Sequence, residues 1–108
     1  MKPMFIYNVT VNVEAGVAED WLQWMKEKHI PDVLATGLFL GSSLLQVMVE
    51  EEQGFTYTVQ YRVRDLETLR LYQEVYAAQL QAEHQARYGD KCVAFRTILR
   101  HEDDFQSP

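Results

Sequence analysis

The sequence predicts an α+β domain built as βαββαβ, a four-stranded antiparallel sheet with two helices on one face. Three observations lead there. Three segments alternate with period two, a fourth is apolar without a sustained helical stripe, and two further segments place apolar residues at helical spacing. Their order, strand, helix, strand, strand, helix, strand, is a split βαβ arrangement with the first and third strands at the centre of the sheet.

The first strand is the run from Met4 to Val13, where Phe5, Tyr7, Val9, Val11 and Val13 share one face and Asn8, Thr10 and Asn12 the other. Gly16, with Glu19 three residues on, is read as the start of the first helix. Val17, Ala18, Trp21, Leu22, Met25 and His29 then gather on one side of it. Pro31 lacks an N–H and disfavours a helical Ile30, so the helix is expected to break there, resume through Asp32 to Thr36 and stop at Gly37. The second strand is placed mostly over Leu44 to Glu50, after the interruption Gly41-Ser42-Ser43. Glu50 to Gly54 reads as a solvated hairpin connection, and Phe55, Tyr57, Val59, Tyr61 and Val63 alternate with Thr56, Thr58, Gln60 and Arg62 in the third strand.

Asp65 is a good N-cap for one long helix from Leu66 to Tyr88, with Gly89 in the position that ends it. Leu66, Leu69, Tyr76, Ala77 and Leu80 form its expected apolar stripe, flanked by Tyr72, and His84 lies one turn beyond. Residues 92 to 100 alternate again as the fourth strand, and the polar segment from His101 to Pro108 is expected to fray.

The 108 residues suit one domain, with 4–100 as its core. At 47% hydrophobic, 24% charged, five Gly and three Pro, the composition excludes disordered and collagen-like chains. A net charge of −6 repels a polyanionic backbone, so nucleic acid is not expected as a partner. Cys92 is the single cysteine, and no apolar run reaches the length of a membrane span or secretory signal. A cytoplasmic protein that does not engage the membrane is expected.

The sheet has a second face to account for. With Tyr7, Val9, Val11, Tyr57, Val59, Tyr61, Phe95 and Leu99 placed under the helices, the other face combines Asn8, Thr10, Thr56, Thr58, Gln60, Arg62 and Arg96 with Ile6, Leu44, Met48 and Ile98. That mixture is too polar for a dry core and too apolar in patches for plain solvent surface. A homodimer burying this face resolves the conflict, and it also covers edge strands two and four.

The runs Tyr7-Asn8-Val9-Thr10-Val11-Asn12-Val13, Trp21-Leu22-Gln23-Trp24-Met25-Lys26, His29-Ile30-Pro31 through Ala35-Thr36-Gly37-Leu38-Phe39, Tyr57 to Tyr61, and Ala94-Phe95-Arg96-Thr97 resemble the small bacterial proteins grouped as domain of unknown function 4286. The resemblance covers nearly the whole chain. It implies a ferredoxin-like fold within the dimeric α/β-barrel class, in which two sheets close into one barrel. It brings no reaction, although the wider class includes cofactor-free oxygenases, haem-degrading monooxygenases and small isomerases.

Two imidazoles are the candidate catalytic groups. His29 stands beside Pro31 on the apolar side of its helix, and His84 at the edge of the second helix's stripe; both could move protons near neutral pH. The plainer alternatives are that His29 satisfies a carbonyl freed by Pro31 and that His84 is a half-exposed residue near a helix C-terminus. No set of residues has dependable metal-ligand spacing, so no metal or other cofactor is expected. Tyr7, Tyr57 and Tyr61, with Trp21 and Trp24, are the candidate ligand-binding residues, because aromatic walls with polar tips suit a flat organic molecule. They equally suit an ordinary core.

The haem-degrading members pair an asparagine of the first strand with a histidine of the second helix, which invites comparison with Asn8 and His84. The matching tryptophan near the start of that helix is absent, and Asn8 alternates away from the helices. The leading expectation is a small organic molecule bound between sheet and helices. Alternatives are a monooxygenase- or isomerase-like enzyme with His29 as base, a haem-degrading monooxygenase-like protein, and a non-catalytic interaction module.

Overall fold

A computed structural model describes residues 4–50 and 53–108. Strands β1 (Phe5–Val13), β2 (Gly41–Val47), β3 (Phe55–Val63) and β4 (Cys92–Arg100) form one sheet in the order β2-β3-β1-β4, every neighbour antiparallel. The first and third strands are central, as the element order predicts. Residues 51 and 52 of the acidic hairpin lie outside the described residues. At its end, Gly54 has φ +83°, and a Cβ there would collide with the Val13 carbonyl, so the close approach of β1 to this turn requires glycine.

The first helical segment departs from expectation at its start and in its middle. A 3₁₀ turn, Ala15–Val17, precedes α1 (Ala18–Trp24), whose N-cap is Val17 with no side-chain bond; Gly16 does not cap it. Glu19 and Asp20 in the first turn complement the positive helix end instead. Nor does the chain break at Ile30, which is helical at φ −62°, ψ −46°. A π turn over Met25–His29 leads directly into α2 (Ile30–Ala35), and the Ile30 N–H bonds to the Met25 carbonyl five residues back. The physical reason is Pro31: it cannot donate to the Glu27 carbonyl and its ring would press on it, so widening the preceding turn lets the helix continue. The wide turn also keeps Trp21, Met25, His29 and Val33, spaced by four, along one side. Gly37, at φ +79°, ends the segment as predicted.

The second helix is two. Asp65 caps α3 (Leu66–Val75) by accepting from the Thr68 N–H at 2.7 Å, and α4 (Ala77–Tyr88) follows after Tyr76, whose φ of −116° bends the axis. Leu69 and Tyr72 are buried in α3, Ala77 and Tyr88 in α4. Tyr72 and Ala77 would lie about 140° apart on a straight helix. The bend brings both to the sheet, and it leaves Leu66 and Tyr76, expected on the stripe, largely exposed.

Register corrects the predicted faces of the sheet. Tyr7, Val9, Val11 and Val13 lie opposite Ile98, Arg96, Ala94 and Cys92, so that set of β4 faces the helices. Phe95 and Leu99, expected beneath the helices, are on the open face with Val93 and Thr97. Leu44 pairs with Val59 on the helix side, Leu45 with Thr58 on the open side, and Met48 lies beyond β2, which begins earlier than predicted. The core is Trp21, Met25 and Val33 from the first helical segment packed with Tyr57, Val59, Tyr61, Leu69 and Tyr72. No described helix is long and apolar enough to cross a membrane.

Candidate functional site

The helices cover β1, β2 and β3 but stop short of β4, whose helix-side residues Ala94, Arg96 and Ile98 stay exposed. Under the margin of α4 this leaves a chamber of about 60 Å³. Its floor is Val9, Val11 and Val59 of the sheet; Tyr7, Tyr61 and Tyr72 stand at one side, and Met25, His29 and His84 roof it. Gln81, His84, Ala94 and Arg96 also line a groove of about 400 Å³ between α4 and β4, which extends along Ala78, Ala82, Gln85 and Cys92. The chamber is therefore the inner end of a larger cleft. It is far too small for an aromatic ring, since benzene occupies cavities of roughly 150 Å³.

The two histidines meet although 54 residues separate them in sequence. Their ring centroids are 5.9 Å apart, inclined at 65°. Trp24 stacks on His29 at 5.1 Å and flanks His84 at 5.8 Å. The indole N–H of Trp21 donates to Nε2 of His84 at 2.9 Å, which puts the proton of a neutral His84 on Nδ1. Nδ1 of His29 is buried with no hydrogen-bond partner, so it does not satisfy a carbonyl freed by Pro31. The wide turn before that proline aims His29 into the chamber.

Burial pushes the His29 imidazole down to about 4; His84 and Arg96 add to this, with Lys28, while Asp32 opposes it. Burial, then Arg96, also lowers His84. Both rings are neutral at pH 7. Tyr7 is raised by burial, against Arg96 and against hydrogen bonding with Arg96 and Gln81. Burial raises Tyr61, with Tyr72 and Tyr7 adding to it, and pushes Tyr72 up to about 12. The Cys92 thiol is pushed up to about 11 by burial and Glu14, which keeps it from acting as a thiolate. Arg96 thus carries the charge of an otherwise neutral chamber, and among the described residues no carboxylate forms an ion pair with it.

Of the residues singled out from sequence, His29, His84, Tyr7 and Tyr61 meet at the chamber. Tyr57 and Trp21 do not line it; they pack on each other in the core at 5.1 Å, and Trp24 supports the two histidines from behind. Arg96, placed by sequence reasoning on the opposite face, belongs to the site, together with Tyr72 and Gln81. A tyrosine flanking the second helix's apolar stripe was the available signal for Tyr72; for Gln81 there was none. Asn8 lies on the far side of the sheet from His84, donating to Thr10 at 3.3 Å and Thr97 at 3.1 Å. Among the described residues no three metal-ligating side chains come together.

The family model for Domain of unknown function (DUF4286) matches residues 4–102. The sequence matches no curated protein. Among solved structures, a conserved Bacteroides thetaiotaomicron protein of unknown function, for which an oxidoreductase role has been raised, aligns with TM-score 0.67 at 12% identity, covering 94% of this chain and 100% of its own. A Bacillus cereus protein provisionally named an antibiotic biosynthesis monooxygenase gives 0.63 at 18% identity, covering 96% and 98%. A dimeric ferredoxin-like protein from an uncultured marine organism gives 0.59 at 10%, covering 95% and 99%. At these identities the likeness is one of fold.

Proposed function

The chain belongs to the DUF4286 family, a domain of unknown function, and from that premise we propose that it is a homodimeric protein binding a small organic molecule in the α4–β4 cleft. One observation carries the binding reading: a chamber walled by neutral polar groups, His29, His84, Tyr7 and Tyr72, opens on a groove large enough for a molecule of metabolite size. The ligand's body lies in the groove rather than flat beneath the helices. Its tip reaches the histidines.

The dimer reading is supported by the open sheet face, where Val93 is 69% and Phe95 60% exposed beside Thr and Gln side chains that can pair across a seam. The marine relative in fold is described as dimeric.

A second reading, proton abstraction from the bound molecule, is favoured by the buried, unpartnered Nδ1 of His29 at the chamber roof. Native mass spectrometry of the purified protein tests binding. A retained small molecule in the wild type, lost in Ala94→Trp, which blocks the junction of chamber and groove, is the expected result. Absence of any retained mass, together with no response to a library of small organic molecules, would refute the reading.

A further inference from the structure

The cleft has a size and a charge that together narrow what enters it. The chamber, at about 60 Å³, admits a group of only a few heavy atoms, whereas the adjoining groove of about 400 Å³ accommodates a ring or short chain. Arg96 lines both spaces. Tyr7 and Gln81 line the chamber beside it, and Tyr7 is within hydrogen-bonding reach of both Arg96 and Gln81. Neither partner is an anion, and no carboxylate among the described residues pairs with the guanidinium. In a chain of net charge −6 a lone cation at the mouth of a neutral, partly apolar chamber is a local reversal of sign.

Resting on the reading of this cleft as a ligand site, we infer that the ligand is a small organic carboxylate whose carboxylate enters the chamber against Arg96 and Tyr7, its apolar body lying between α4 and β4. A planar guanidinium matches a carboxylate with two parallel N–H bonds, and the Tyr7 hydroxyl can donate a third. The His29 and His84 rings, being neutral, do not compete as cations for the head group, so discrimination between an acid and its amide falls on Arg96. A neutral ligand of the same shape would leave the guanidinium without its counter-charge. Ala78, Ala82 and Ala94 keep the groove walls low enough for a ring or chain to lie along them.

The test uses phenylacetate and its neutral near-isostere phenylacetamide, titrated into the 108-residue chain at pH 7 and followed by NMR chemical shifts of the His29 and His84 rings. Phenylacetate should bind at least about tenfold more tightly than the amide, as charge-assisted bonds exceed neutral ones. Arg96→Gln should erase that preference, with phenylacetate affinity falling about tenfold toward that of the amide, and Arg96→Lys should restore part of it. Arg96 is exposed on an edge strand, so these variants keep the fold; unchanged circular dichroism and thermal melts verify that. Equal binding of acid and amide to the wild type, or a preference that survives in Arg96→Gln, overturns the inference and leaves the binding reading standing. Binding of neither probe also overturns it, while a retained mass in native spectrometry would still support a ligand of other chemistry.

Discussion

Trp21 holds His84 in one tautomer, because its indole N–H fills the Nε2 lone pair that protonation would need. Trp21 is wholly buried and packed against Tyr57, so the donor is fixed in place by the core rather than by the site. A structural residue thereby sets the proton position of a chamber residue. Trp21→Phe should cost on the order of 2 kcal/mol through lost volume and the lost bond. It should also raise the His84 pKa, since the bond favours the neutral ring. Imidazole ¹⁵N shifts report both: an Nδ1–H tautomer in the wild type and a tautomer mixture in the variant. A mixture already present in the wild type would refute the assignment.

The N-cap of α3 offers a simpler test of local energetics. Asp65 accepts from the Thr68 N–H and presents negative charge to the helix start. Asp65→Ala should lower stability by about 1 kcal/mol and the melting temperature by several degrees. Asp65→Asn should recover most of that loss in the same thermal melts, whereas an equal loss in both variants would assign the effect to charge alone.

These two sites mark what was legible in sequence. The Asp65 cap is local, written in residues three apart. The strands β1 and β3 were legible in face as well as extent, because each has one clearly apolar phase, Tyr7-Val9-Val11 and Tyr57-Val59-Tyr61. In β4 both phases are apolar. Ranking by size sends Phe95 and Leu99 to the helix side of the sheet, whereas the ladder with β1 sends Cys92, Ala94, Arg96 and Ile98 there. That inversion concealed Arg96 from the site and most of the apolar surface from the open face. His29 and His84 were legible as candidates, but their meeting depends on the π turn before Pro31 and the bend at Tyr76, each a tertiary answer to a packing problem. Strand pairing and helix bends are non-local, and period alone does not encode them.

The same inversion sharpens the dimer prediction. Val93, Phe95, Leu45 and Leu99 form an exposed apolar set on the open face, on strands at opposite edges of the sheet. The wild type should sediment at twice the chain mass of 12.6 kDa at micromolar concentration. Phe95→Asp should shift it to the monomer while circular dichroism keeps its α+β character, because Phe95 is not in the core. A wild type that sediments as a monomer at that concentration would sink the idea.

The pH dependence of stability follows from His29. In the unfolded chain its imidazole takes a proton near the usual 6.5, while in the fold burial, then His84, hold it down to about 4. The unfolded state therefore binds more protons between these values, and stability rises with pH there. The contribution is complete above about pH 6.5 and is lost as pH falls through about 4, amounting to on the order of 3 kcal/mol. His84, also lowered by burial and Arg96, acts in the same direction and leaves a residual slope when His29 is removed. Replacing His29 by Leu deletes the titrating ring and also its orphaned Nδ1, so no hydrogen bond is lost. Urea midpoints at pH 7.5 and 4.5 should thus fall much less steeply in His29→Leu than in the wild type. Identical falls in the two proteins would mean that His29 is protonated in the fold as readily as in the unfolded chain, and a chamber of neutral imidazoles would not exist.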